Sequence, residues 1–482
     1  MKMLDGLKKK YDGLSIVVKA TFWFTVCSIL QKSISMLTTP IFTRLLTTEE
    51  YGLYSAYLSW VNIFTVCVTL RLEAGTFNKG MAKFKEDRDG YTTAMQGLTT
   101  CLTSVALLVY VVFYKVFNNF TGLPTHLMLA MFLEIYCVPA YNFWIRRQRY
   151  DFKYRSVILV TLALTLSNAI VGILMVLWSS GDKGEAQIFS VVLVQVVCGL
   201  ILYLCNLKRC KKLINLTYWK YALGFNLPLL PHYFSLYILQ HSDRIMIQKY
   251  CGYTDVALYS VVYNLSMVLN TVVDSMNNAI VPWLYRELEE KHFDNIRKKL
   301  NVMILAVSGM LLVFILFAPE AIRILAPASY FEAIYIVPPV ASSILFIFMY
   351  VLFGNIEFYY DYNKLTMFIS IIGAALNLIL NAIFIPRFGF VAAGYTTLFC
   401  YALFALMHCI FSAYITRKKE GLVIFDSGFL LIWCTLFVVI AILLSLIYAH
   451  TVLRYALVIG VLIICLINRK RLMEAARYIL KK

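Results

Sequence analysis

The chain has 482 residues, of which 61% are hydrophobic and 15% charged, with a mean hydropathy of +0.74; a soluble domain carries about 25% charged residues. This composition excludes a soluble enzyme, and the net charge of +18, from 44 Lys and Arg against 26 Asp and Glu, reads as membrane topology rather than as affinity for nucleic acid. A bilayer span takes roughly 20 apolar residues, so the predicted class is an all-α polytopic membrane protein with about 14 transmembrane helices.

The basic start, MKMLDGLKKK, leads into a long span with no small-residue cleavage site, which predicts a retained, cytoplasmic N-terminus. Spans are then predicted at 16–43, 51–70, 92–114, 116–145, 156–181, 186–207, 221–240, 256–285, 300–319, 333–356, 365–386, 388–416, 427–449 and 450–468. Nine are free of charge. The other five carry an isolated charge or histidine: Lys19 and Lys32, His126 and Glu134, Asp274, His408, and His450 with Arg454. Ten of the twelve cysteines fall inside spans and none has metal-ligand spacing, so neither a disulfide framework nor a zinc site is expected, and no cofactor is implied.

Orientation follows from the basic residues. Alternate loops and the two termini hold 35 Lys and Arg on one side of the membrane and 8 on the other, with Lys32 left inside a helix. The positive-inside rule then places both termini in the cytoplasm, which an even number of spans permits. No loop is long enough to fold as a catalytic domain, the longest running from about Arg71 to Tyr91. Movement of a substrate is therefore favoured over chemistry on it.

The two halves resemble each other. TRLLTTEEYGLYSAYLS (43–59) and DRIMIQKYCGYTDVALYSVVYNLS (243–266) each set an Arg near the outer end of one helix, then a turn, then a Leu-Tyr-Ser entry to the next. A six-helix offset gives two repeats of like orientation. The predicted division is an N-terminal six-helix lobe over 1–215, a second over 216–420, and two additional helices with a basic tail over 421–482.

Polar faces mark the interior. Thr21, Thr25, Ser28, Lys32, Ser35 and Thr39 recur every three or four residues on the first span, and Ser55, Ser59, Asn62, Thr65, Thr69 and Glu73 do so on the second. Such faces must turn toward protein or water, either as helix-packing groups or as the lining of a cavity. Lys32 lies about 16 Å of helix from the outer end, too deep to snorkel. It either lines a water-filled cavity or pairs with a carboxylate such as Asp274 or Glu357. Arg71, beside Glu73, reads as a topology charge at the end of the second span, and Arg244, beside Asp243, as an interfacial anchor. Glu134 and Asp274 are deep enough to be proton or cation sites, or to pair with a base. Prolines 139, 228, 231, 282, 338 and 339 mark bends, moving or fixed.

The segments PIFTRLLTTEEYGLYSAY, NLPLLPHYFSLYILQHSDRIMI and LNLILNAIFIPRFGFVAAGYTTL resemble the polysaccharide flippases of the multidrug, oligosaccharidyl-lipid and polysaccharide exporter superfamily, over roughly residues 15–415. The resemblance implies two six-helix lobes in a V-shaped arrangement, with the first helix of each lining the cavity. It also implies transfer of an undecaprenyl-diphosphate-linked oligosaccharide across the bacterial cytoplasmic membrane by alternating access, for surface polysaccharide such as O-antigen lipopolysaccharide. On that reading Lys32, Arg44, Arg71 and Arg244 meet the diphosphate, Gln31 and Asn62 contact sugar, and Asp274, Glu134, Glu357 or Asp243 couples transport to H+ or Na+. Partners are the lipid-linked oligosaccharide, membrane lipids and a glycan polymerase or glycosyltransferases, with no nucleic acid. The two extra helices resemble the lipid II flippase branch, but the first span lacks that branch's several arginines. A lipid II type flippase and a cation-coupled multidrug exporter are the alternatives.

Overall fold

The structure, a computed structural model, describes residue 13, residues 15–467 and residue 469. The basic N-terminal run and the basic tail from residue 470 lie outside the described residues. Among the described residues all regular structure is helical. The helices are α1 (Ile16–Leu45), α2 (Thr48–Thr69), α3 (Gly75–Lys83), α4 (Arg88–Val112), α5 (Tyr114–Thr121), α6 (Thr125–Tyr150), α7 (Tyr154–Trp178), α8 (Lys183–Arg209) and α9 (Leu216–Asn226). They continue as α10 (Leu230–Cys251), α11 (Tyr253–Glu289), α12 (Phe293–Leu316), α13 (Ala318–Leu325), α14 (Val337–Tyr359), α15 (Asn363–Phe388), α16 (Phe390–Glu420), α17 (Ser427–Leu446) and α18 (Thr451–Ile467).

Within the described residues, helix covers most of each of the fourteen predicted spans. Among the described residues, ten helical segments are long and apolar enough to cross a membrane. Outside that ten stand α1, α2 and α10, whose polar residues dilute the apolar run, and the 17-residue α18. Local chemistry explains the boundaries. Thr47 and Glu50 form a reciprocal capping box at the start of α2, with Thr47 N–H donating to Glu50 at 2.7 Å and Glu50 N–H to Thr47 at 3.2 Å. Asp87, Asp182, Asn215 and Asp426 accept from the first-turn N–H groups of α4, α8, α9 and α17. The predicted span 116–145 is broken between α5 and α6, where Gly122 takes a left-handed φ of 69° and Pro124 precedes the new helix.

The prolines act in two ways. Pro139 and Pro282 lie inside α6 and α11, whereas Pro338 and Pro339 open the first turn of α14, where a missing N–H has no helical partner to lose. Around Pro228 the seventh predicted span is interrupted by a 3-10 turn over Leu227–Leu229.

Two compact units divide between Tyr237 and Ile238, inside α10 and beyond the 215/216 position read from the sequence. In the first unit, α6 packs on α8, α7 on α8 and α1 on α7. Gly199 permits the α6–α8 approach, since a Cβ there would lie 2.5 Å from the Cys137 carbonyl oxygen. The stretch 71–91, read as a loop, is folded: α3 and the start of α4 bury Phe77, Met81, Tyr91 and Met95 with Ala222 of α9. Hydrogen bonds hold α9 in this unit, from Trp219 to the Ala94 carbonyl at 2.8 Å and from Tyr218 to Asp87 at 3.0 Å.

In the second unit α14 is the central helix, packed by α11, α12, α16 and α17. Leu430, Cys434 and Phe437 of α17 belong to this core, and the Trp433 indole donates to Ser308 at 3.0 Å. The start of α18 is fastened by Arg454, which is buried and donates two parallel hydrogen bonds of 2.5 Å to Glu320 of α13. Burial raises the Glu320 carboxyl, but hydrogen bonds from Arg454 and Tyr455 and the guanidinium charge outweigh it, so the group sits below its ordinary value.

Candidate functional site

The polar face of α1 is built from residues that satisfy themselves. Thr21, Thr25, Ser28 and Thr39 each donate to the carbonyl four residues earlier, at 2.9–3.0 Å. A hydroxyl bonded in this way tolerates apolar surroundings. An ammonium has three donors and no such route. Lys32 is exposed, and among the described residues it has no ion pair. Its neighbour Gln31 donates to Thr165 of α7 at 3.3 Å. Asn62 turns its amide back to the Leu58 carbonyl of its own helix at 2.7 Å. Arg44 is exposed, with Nη1 donating to the Pro40 carbonyl at 2.9 Å.

Arg71 is more constrained than a topology charge. Leu70 and Arg71 both take left-handed φ values, 52° and 53°, which end α2 and turn the chain into α3. The Arg71 guanidinium pairs with Glu73 at 3.2 Å, donates to the Tyr237 hydroxyl and lies 4.9 Å from that ring's centre. Asn226 donates to the Leu70 carbonyl at 2.8 Å and accepts from Thr76. The left-handed turn is therefore bonded to the end of α9.

In the second unit Arg244 is buried. Its guanidinium donates to Ser260 at 3.1 Å, to the Gln240 carbonyl at 3.3 Å and to Asn264 at 3.4 Å, and lies 4.3 Å from the Tyr263 ring centre. Arg44 and Arg244 each bond the carbonyl four residues back. Asp243 is 1% exposed and accepts from Tyr259 at 2.5 Å, Asn381 at 2.7 Å, Thr397 at 2.7 Å and Asn377 at 3.5 Å. Ser242 donates to Asn377 at 2.8 Å, and Thr396 donates to Asn381. Side chains from α11, α15 and α16 thus converge on one buried carboxylate of α10 and donate to it.

The other three acidic candidates are dispersed. Glu134 of α6 is buried and accepts from Tyr57 of α2 at 3.4 Å. Glu357 of α14 is buried and meets His408 Nδ1 at 2.8 and 3.0 Å, while Ser412 donates to it at 3.3 Å. Asp274 of α11 is exposed and accepts from Asn270 at 3.2 Å. Sequence reasoning missed Tyr259, Asn377, Asn381 and Thr397. The legible signal was Asn377 and Asn381, an i, i+4 pair in an otherwise apolar span, which shares one helix face.

The profile of the family described as polysaccharide biosynthesis protein matches residues 17–288, and the MatE profile matches residues 228–383. Protein 1 of the Lsg locus of Haemophilus influenzae is 23% identical over 371 residues, covering 75% of this chain and 89% of that protein. Among solved structures, the lipid II flippase MurJ in an inward closed conformation aligns with a TM-score of 0.66 at 12% identity, covering 90% of this chain and 99% of that one. An inward-facing multidrug resistance MATE family transporter of the MOP superfamily aligns with a TM-score of 0.55 at 11% identity, covering 81% and 96%. At these identities the structural likeness is one of fold.

Proposed function

Because the chain belongs to the polysaccharide biosynthesis protein family, we propose that it is a flippase, carrying an undecaprenyl-diphosphate-linked oligosaccharide from the inner to the outer leaflet of the bacterial cytoplasmic membrane by alternating access. The observation that carries this reading is Lys32: an exposed cation in the middle of a polar-faced membrane helix, without an ion pair among the described residues. A diphosphate crossing hydrocarbon needs a counter-charge and water. One lysine supplies the charge as a point donor that releases its anion more readily than a bidentate arginine clamp. The hydroxyl face of α1 supplies the wet surface for sugar.

Coupling to a proton or sodium gradient is assigned to Asp243, where Tyr259, Asn377, Asn381 and Thr397 gather around one carboxylate. Glu357 is engaged by His408 and Ser412, which makes it a structural member of the α14–α16 contact. The exposed Asp274, together with the MatE profile match over residues 228–383, favours a cation-coupled drug exporter. The lipid II reading is weaker because α1 offers Lys19 and Lys32 in place of several arginines. Both termini and the basic loops are placed in the cytoplasm, where a polymerase or glycosyltransferases would meet the protein.

The test is the leaflet distribution of undecaprenyl-linked oligosaccharide in a strain lacking the protein, read with a membrane-impermeant sugar-modifying probe on spheroplasts. Inner-leaflet accumulation that the restored gene reverses supports the flippase. An unchanged distribution rejects it, and altered drug susceptibility in the same strain would point to the exporter.

A further inference from the structure

The C-terminal end of α8 runs into the segment LKRCKKLINL, residues 207–216. Lys208, Arg209, Lys211 and Lys212 are all exposed, and among the described residues none has an ion pair. Four cations close in sequence repel one another, and ordinary surfaces intersperse carboxylates to relieve this. Within the same stretch Ile214 and Leu216 are each 73% exposed. Large aliphatic side chains beside unpaired cations are what a chain presents to the boundary between headgroups and acyl chains.

A groove of about 550 Å³ lies along this end of α8, lined by Ile201, Leu204, Cys205, Leu207, Lys208 and Lys211. Its wall is apolar toward the middle of the helix and cationic at the helix end. The volume falls within the range of small-ligand sites. The approach to the groove is held in place: Asn215 caps α9, and the Leu213 carbonyl lies against α4 so closely that a Cβ on Gly97 would meet it at 2.0 Å.

We propose that this groove is a binding site for one anionic phospholipid, with the phosphate between Lys208 and Lys211 and an acyl chain along Ile201, Leu204 and Cys205. The zoning fits a lipid and not a free anion, because inorganic phosphate would leave the apolar wall uncovered. The lysine stems lie along the apolar surface while the ammonium groups reach the headgroup. The site is independent of the transported substrate and of the coupling ion.

The full-length protein in nanodiscs of phosphatidylcholine with a small fraction of phosphatidylglycerol tests this, by native mass spectrometry of retained lipid. Wild type is expected to retain one phosphatidylglycerol in preference to phosphatidylcholine. Lys208→Ala/Lys211→Ala is expected to lose that preference by about tenfold or more, from roughly 1 kcal/mol per surface lysine. Leu204→Trp, which fills the groove and keeps both lysines, is expected to lose retention as well. Lys418→Ala/Lys419→Ala removes equal charge at the end of α16 and is expected to behave as wild type. Wild-type retention in either groove variant, an equal loss in the Lys418/Lys419 control, or displacement of the lipid by inorganic phosphate would each overturn the site.

Discussion

A lysine in the middle of a membrane helix is tolerated only where water or an anion meets it, and the neighbours of Lys32 bond to their own backbone instead. Lys32→Ala is therefore expected to lower surface polysaccharide per molecule of flippase by about tenfold or more, the worth of one charge-assisted hydrogen bond, while membrane abundance stays normal. Lys32→Arg retains the charge but holds a diphosphate more tightly, so export should fall less than in Lys32→Ala without returning to the wild-type level. Measuring polysaccharide against protein level separates the two, and unaltered export in Lys32→Ala would remove the lysine from the mechanism. Asp243 allows an opposite test. Its four donors are arranged for an anion, so Asp243→Asn turns an amide N–H toward groups that also donate. Transport by that variant is expected to lose its response to a proton or sodium gradient imposed on vesicles. A retained response to both gradients would place coupling elsewhere.

At the scale of elements, the fastening of α18 is the sharpest case. Glu320 is held below its ordinary carboxylate value by the Arg454 and Tyr455 hydrogen bonds. A carboxyl that is more acidic folded than unfolded stabilises the fold above the ordinary carboxylate range, and that contribution disappears as pH falls through the folded value. Acidification below the ordinary carboxylate range should therefore release α18, read as increased proteolysis of the α17–α18 connection in detergent. Glu320→Gln should weaken the same attachment at neutral pH by about 2 kcal/mol, less than for a fully buried pair because Glu320 is partly exposed. An attachment insensitive to both changes would mean that the helix is held by apolar packing alone. The spans were legible in the sequence because each places some twenty residues of one character in a row. The elements α3 and α13 were not, since eight or nine residues with mixed character give no such run, and α9 was read only in its last six residues, as the start of the seventh span. The same limit applies to the site. Lys32 stands out as a charge in an apolar stretch, and Asp243 as a carboxylate beside Arg244 at the end of a predicted span. Tyr259, Asn381 and Thr397 are ordinary packing residues until three different helices bring them to one carboxylate.

For the molecule as a whole, the asymmetry of 35 basic residues against 8 is a statement about orientation that labelling can test. In a cysteine-free background, Ser180→Cys lies in the α7–α8 turn and Lys212→Cys in the basic α8–α9 connection; both positions are exposed. A membrane-impermeant maleimide applied to spheroplasts is expected to label the first and not the second, and the reverse pattern would invert the direction of transport assigned here. Burial is also unequally shared among the helices. Eighteen of the twenty-three residues of α14 are buried, but only Ala20, Cys27, Phe42 and Thr43 of the thirty in α1. Local opening free energy follows buried apolar contact, so α1 is the most weakly tethered long helix of its unit and its amides should exchange with solvent deuterium well before those of α6 or α8. The helix that carries the charge is thus the one whose displacement costs least, and a cargo of varying bulk can be admitted by shifting one helix while the rest of the unit stays packed.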